Sequence, residues 1–162
     1  MEIRPAIAAV LPAIVAIYNA SIPSRTATAD TEPITVASRQ EWFAKHHQLR
    51  PLWVLEVDGA IGAWIGLTSF YGGRPAYNAT AEVSLYIAPQ HQRKGYGSFL
   101  VQQMIDHCPS LGITTLLALY FAHNVASQNL FTSFGFEPMG HLTEIAVLDG
   151  IKRGLIIAGK RI

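Results

Sequence analysis

Gln92-Arg93-Lys94-Gly95-Tyr96-Gly97 stands between a β-rich run, Thr80 to Ile87, and a stripe of Leu100, Val101, Met104 and Ile105 at helical spacing. Pro89 closes the run, so the chain turns there and enters a helix through two glycines. Such an entry leaves backbone N–H groups unpaired at the positive end of the helix dipole, which makes a site for anions. Gly95 and Gly97 let a phosphate approach backbone that a Cβ would obstruct, and Arg93 and Lys94 add charge at the rim. After the helix comes Thr115 to Ala122, a near-continuous apolar run that reads as a strand covered on both faces. Strand, helix and covered strand together predict a parallel crossover. The loop is not a Walker loop, because no Gly-Lys-Ser/Thr follows. Nor is it a dinucleotide fingerprint, since no third glycine follows Gly97 and Asp106 comes too early for the ribose acid. On these residues alone a glycine-rich helix entry without a ligand stays open.

Working outward, Glu2-Ile3-Arg4 reads as a short first strand. Leu11, Ile14, Val15 and Tyr18 then recur at helical spacing, with Pro12 near the helix start. Asn19 to Pro33 is a polar loop, long enough to expect a function of it. Thr35 is placed to cap a second helix running to about His46. Leu52 to Val57 and Ala60 to Phe70 are strand-like and meet at Asp58-Gly59, a hairpin signal. Tyr71 to Asn78 is an aromatic loop with glycine hinges that leads into the strand at Thr80. Past the covered strand, a short helix from Ala126 to Phe134 is expected to end at Gly135. Two last strands are expected near Phe136–His141 and Glu144–Ala158, the second turning around Asp149-Gly150. The order β-α-α-β-β-β-α-β-α-β-β implies one α+β domain over residues 1–162. Its mixed sheet of about seven strands lies between helices, in an α/β/α sandwich-like arrangement.

Composition narrows the function classes. Half of the 162 residues are hydrophobic and 14% are charged, which suits a sizeable core and argues against disorder. The net charge of +1, without a Lys/Arg block, gives no reason to expect nucleic acid. The early apolar run Ala8–Ile17 contains Pro12 and is shorter than the roughly 20 residues of a membrane span. No signal-peptide pattern is visible, and the single cysteine, Cys108, fits a reducing cytoplasm. The six histidines lack ligand spacing, so no metal is expected.

Gln92-x-x-Gly95-x-Gly97, after a strand and a proline, resembles the acetyl-CoA-binding loop of GNAT acetyltransferases. The segment Thr80 to Gln92 is similar to the phosphinothricin acetyltransferase branch of that superfamily. So are Ile17-Tyr18-Asn19, Thr28 to Pro33 and Arg74-Pro75-Ala76-Tyr77, and the match extends from residue 3 to about 141. The resemblance implies a sheet whose central strands splay to admit acetyl-CoA. It puts the pantetheine on the backbone of Leu85, Tyr86 and Ile87, and the pyrophosphate on Gln92, Arg93, Lys94, Gly95, Tyr96, Gly97 and Ser98. It adds Asn124, Ser127 and Phe131 on the cofactor side. Asn124 also stands where it could cap the helix that follows.

Direct attack by an amine needs a proton acceptor, and Glu82 matches the branch's proposed base. Alternation puts Glu82, Ser84 and Tyr86 on one strand face and Val83, Leu85 and Ile87 on the other. A pairing of Glu82 with a surface Lys or Arg, or a β-bulge that shifts the alternation, would weaken that reading. With Glu82, Arg74 and Tyr77 match the acceptor pocket, where an arginine could hold an α-carboxylate; a loop-pinning role for Arg74 stays open. Two departures stand out. Many relatives carry an acidic tyrosine at the position of Phe131, which has no proton to give; Tyr86 and Tyr120 are the other phenols at hand. The stretch Asp149 to Leu155 lacks the tryptophan of the branch's C-terminal block.

The expected activity is N-acetylation of a small amino-acid-like amine of the phosphinothricin, methionine sulfoximine or methionine sulfone type. A polyamine, aminoglycoside or peptide N-terminus, or a non-catalytic acyl-CoA-binding role, are the alternatives. The resemblance also implies a homodimer.

Overall fold

The computed structural model describes all residues, Met1–Ile162. In chain order its regular elements are β1 (Glu2–Pro5), α1 (Leu11–Ser21), α2 (Val36–Ala44), β2 (Leu52–Val57), β3 (Ala60–Ser69) and β4 (Thr80–Ile87). There follow α3 (Tyr96–His107), β5 (Thr115–Phe121), α4 (Val125–Ser133), β6 (Glu137–Leu148) and β7 (Ile151–Arg161). The seven strands form one open sheet in the order β1-β2-β3-β4-β5-β7-β6. Every neighbouring pair is antiparallel except β4–β5, the parallel pair that α3 connects.

Two apolar clusters, one on each face, hold the sheet between helices. On one face Leu100, Val101, Met104 and Phe131 of α3 and α4 pack on Ala81, Val83, Leu116 and Ala118. On the other, Ile14, Ile17 and Tyr18 of α1 pack on Val54 and Trp64, with Trp42 of α2 and Tyr86 against them. β4 therefore alternates as its sequence predicts, and its register with β3 runs from Ser69↔Ala81 to Ala63↔Ile87 without a bulge.

The turn residues act as their chemistry dictates. Asp58-Gly59 and Asp149-Gly150 both hold positive φ (52° and 79°; 50° and 79°), the pairing that a two-residue hairpin of matching twist requires. Thr35 caps α2 by accepting from the Ser38 N–H. At the end of α4, Gly135 N–H bonds to Thr132 O and Phe136 N–H to Phe131 O, with the Phe131 and Phe136 rings in edge contact.

Boundaries differ in three places. α1 continues through Asn19 to Ser21, and α2 stops at Ala44, short of His46. The break expected near residues 142–143 is a bulge inside β6, whose register shifts between Leu142 and Ala146 where Glu144 takes φ 52°. The final hairpin therefore joins β6 and β7 at Asp149-Gly150, and its arms are 12 and 11 residues long.

Candidate active site

β4 and β5 pair only from Thr80↔Thr115 to Val83↔Ala118. Beyond that, β4 stays with β3 as far as Ile87, while β5 stays with β7 as far as Phe121↔Leu155. The sheet forks, and Ser84–Ile87 and Leu119–Phe121 are the arms. The backbone edges that face each other across the fork lack a strand partner, which a ligand's amides could supply.

Glu82 stands just before the vertex, opposite Thr68 on β3 and Leu117 on β5. It is half-buried and takes part in none of the ion pairs. Burial raises its carboxyl above the usual range. A desolvated carboxylate without a cation partner is suited to take a proton near neutral pH.

The β4 arm leads to the N-terminus of α3. Gly95 is the N-cap at φ 82°, with open space around its Cβ position, and Arg93 also takes a left-handed φ of 57°. A non-glycine residue held there costs about 1–3 kcal/mol, a strain that clusters at ligand-binding turns. No side chain caps the helix, and its first bond runs from Phe99 N–H to Gly95 O. The N–H groups of Tyr96, Gly97 and Ser98 therefore find no acceptor in the chain and point out of the helix end. Arg93 and Lys94 are exposed and unpaired beside them, while the Gln92 side chain donates to Ile87 O at 3.4 Å.

Gly97 has a further reason to be glycine. It is buried, and a Cβ there would meet Ile87 at 3.3 Å, Leu130 at 3.5 Å and Leu85 at 3.6 Å. Close packing of α3 on β4 and α4 explains this glycine, where the sequence suggested room for phosphate.

On the β5 arm, Asn124 caps α4 by accepting from Ser127 N–H at 3.0 Å, and its amide donates to Thr26 O at 3.0 Å. Phe131 is 6% exposed, packs on Tyr120 and Phe136, and so serves the core behind the fork. Of the two nearby phenols, Tyr86 donates to Ala27 O at 3.2 Å, and burial pushes it well above a phenol's ordinary range. Burial raises Tyr120 as well.

Arg74 and Tyr77 belong to the exposed loop between β3 and β4, at the Glu82 end of the fork. Tyr77 rests edge-on against Phe70 and Tyr71, and Arg74 makes no ion pair. No group of three or more His, Cys, Asp or Glu side chains comes together.

Two features escaped the reading of motifs. A pocket of about 170 Å³, lined by Tyr18, Arg39, Trp42, Trp64, Ser84 and Tyr86, opens on the face of β4 that carries Glu82. Arg39 lies over the Tyr18 and Trp42 rings there, 4.7 and 5.3 Å from their centroids. The segment 25–28 runs above the fork, held by side chains from both arms; only the length of its loop signalled it. A larger cavity of about 600 Å³ lies at the β1 edge, between Phe43–Gln48 and His107, and touches neither arm.

The mixed sheet forks, and the open β4 arm feeds a helix start that no side chain caps. The family model described as "Acetyltransferase (GNAT) family" matches residues 14–136. The chain belongs to this GNAT family. YwnH of Bacillus subtilis, provisionally named a phosphinothricin acetyltransferase, is 48% identical over 94% of this chain and 93% of its own. The L-methionine sulfoximine/L-methionine sulfone acetyltransferase of Pseudomonas paraeruginosa is 34% identical over 89% and 84%. The crystal structure of a GNAT superfamily phosphinothricin acetyltransferase from Sinorhizobium meliloti in complex with AcCoA superposes with a TM-score of 0.92. It is 26% identical, over 99% of this chain and 88% of that one. This GNAT chain therefore shares its overall fold with a relative solved in complex with AcCoA.

Proposed function

We propose that the chain transfers the acetyl group of acetyl-CoA to the primary amine of a small amino-acid-like acceptor, of the phosphinothricin, methionine sulfoximine or methionine sulfone type. The observation that carries this reading is Glu82, desolvated and unpaired at the vertex of a fork that leads to the free N–H groups of α3. The residues fit the cofactor. The unpaired arm Leu85–Ile87 presents backbone to pantetheine amides, and Tyr96, Gly97 and Ser98 offer N–H groups to a pyrophosphate flanked by Arg93 and Lys94. Asn124 and Ser127 fix the start of α4 on the far side, while Phe131 supports the cleft wall from behind. Bound acetyl-CoA supplies an activated thioester.

Transfer then proceeds by direct attack in a ternary complex. Glu82 takes the amine's proton, and Arg74, free of any ion pair, binds the acceptor's α-carboxylate beside Tyr77. The chain's one thiol is unsuited to form an acetyl-enzyme: Cys108 is fully buried, and burial pushes its thiol up to about 11. Phe131 has no proton, the hydroxyl of Tyr86 is engaged, and Tyr120 is buried against Phe131, so the leaving sulfur departs as thiolate and meets its proton from water.

The chain acts as a homodimer in the cytoplasm. Exposed Met139, Leu142, Ile145 and Val147 on the edge strand β6 support the dimer, and a lone buried cysteine suits a reducing compartment. Acetylating a toxic amino acid analogue is a detoxification. A thiol-release screen over amino acids, their sulfone and sulfoximine analogues, and polyamines tests the reading. Turnover confined to the amino acid analogues is expected. Preference for polyamines would overturn the acceptor class, and tight acetyl-CoA binding without turnover would make the chain a binding module.

A further inference from the structure

Three consecutive residues of the loop between α1 and α2, Arg25 to Ala27, are tied to the β4 arm and to the residues that directly follow the β5 arm, and the next, Thr28, is tied to α1. From the β5 side, His123 Nε2 bonds to Arg25 O at 2.8 Å and Asn124 Nδ2 to Thr26 O at 3.0 Å. From the β4 side, the Tyr86 hydroxyl bonds to Ala27 O at 3.2 Å, and Tyr18 of α1 meets Thr28 Oγ1. Arg25 keeps a left-handed φ of 55°, and its side chain bonds to Asp149 in the β6–β7 turn at 2.9 Å.

A carbonyl only accepts, so His123 must carry its proton on Nε2. Its Nδ1 is buried without a partner, which leaves the bond to Arg25 O as the ring's one polar tie. The ring also stacks on Phe121, the last residue of β5, with centroids 5.5 Å apart. Two strands that have lost their mutual hydrogen bonds are free to change their separation. A segment bonded to both limits that freedom, and α4 begins directly after the residues that hold it.

We infer that residues 25–28 form a brace across the fork, and that His123 is the positioning residue that fixes the brace to the β5 arm. The brace sets the width of the cleft between the arms. This rests on the proposed use of acetyl-CoA, whose pantetheine arm would occupy that cleft.

Two variants separate the bond from the ring. His123→Phe keeps the stacking and loses the donor; His123→Gln loses the ring and places an amide N–H near the former Nε2. Steady-state kinetics should show KM for acetyl-CoA raised about 3- to 10-fold in His123→Phe, the scale of one lost hydrogen bond. In that variant kcat should stay within about twofold, because the bond touches no reacting atom. His123→Gln should lie close to wild type. An unchanged KM in His123→Phe, or a His123→Gln no better than it, overturns the brace.

Calorimetry of the wild type with acetyl-CoA keeps the two readings apart. If the wild type fails to bind, the proposed function falls, and hydrogen exchange of the segment 22–30 decides the brace. Faster exchange in His123→Phe than in wild type and His123→Gln supports it, and equal exchange in all three overturns it.

Discussion

Glu82 shows what a single side chain costs and contributes. Burial raises its carboxyl above the usual range, so its charged form is less favourable in the folded protein than in the unfolded chain. The stability it adds is therefore full below an unfolded value of about 4.3 and is lost as pH rises through the higher folded value. At neutral pH the ionised group destabilises the fold. Glu82→Gln should consequently melt higher than wild type at pH 7, and the gap should close on acidification; calorimetric scans at several pH values measure it. The same change should lower kcat by about 10²-fold, the usual scale for loss of a general base. The limb of kcat/KM that rises with pH should vanish with it, and a variant with wild-type rate and profile would remove Glu82 from the reaction. The place of Glu82 on β4 was legible, because a carboxylate in an apolar strand is conspicuous and alternation fixes its face. His123 was not: it bonds to a backbone carbonyl 98 residues away, and a carbonyl leaves no mark in the sequence.

At the scale of the element, the entry to α3 divides between two glycines that the sequence treated alike. Gly95 is needed for its left-handed backbone and open surroundings, Gly97 for lack of volume against Ile87 and Leu130. Neighbours from other elements decide such a difference, so spacing alone could not. Gly95→Asp isolates the anion site. It adds no clash in open space, at a backbone cost of roughly 1–2 kcal/mol for the left-handed residue. It also sets a negative charge where phosphate would sit. Acetyl-CoA affinity should fall at least about tenfold, from an unfavourable pair of the order of 1–4 kcal/mol, with the circular dichroism spectrum unchanged. Calorimetric titration reads the loss, and undiminished affinity would move the phosphate elsewhere. The fork itself was not written in the runs that form it. Thr80–Ile87 and Thr115–Phe121 read as complete strands, and their divergence follows from partners on their outer sides, β3 and β7.

For the molecule as a whole, the strand and helix order sufficed to predict one mixed sheet with helices on both faces, because a strand covered on both sides needs a helix layer on each. The C-terminal hairpin behaves differently. β6 lies at the sheet's edge, and Ile145 and Val147, each 61% exposed, project from it with Met139 and Leu142 also uncovered. A long edge strand with apolar side chains invites pairing with another chain, and here nothing covers it within the protein. A second copy meets the same need on itself, since a two-fold interface is self-complementary. Burying each of these side chains contributes about 1.5–3 kcal/mol, and a stable interface removes roughly 1,200–2,000 Å² from water. Sedimentation equilibrium should therefore give a dimer for wild type and a monomer for the Ile145→Asp, Val147→Asp double variant. Both residues point away from the core, so the melting midpoint at low protein concentration should barely change. At high concentration only the wild type should gain thermal stability with concentration, by mass action. A wild type that sediments as a monomer at all concentrations would assign the exposed face to some other partner.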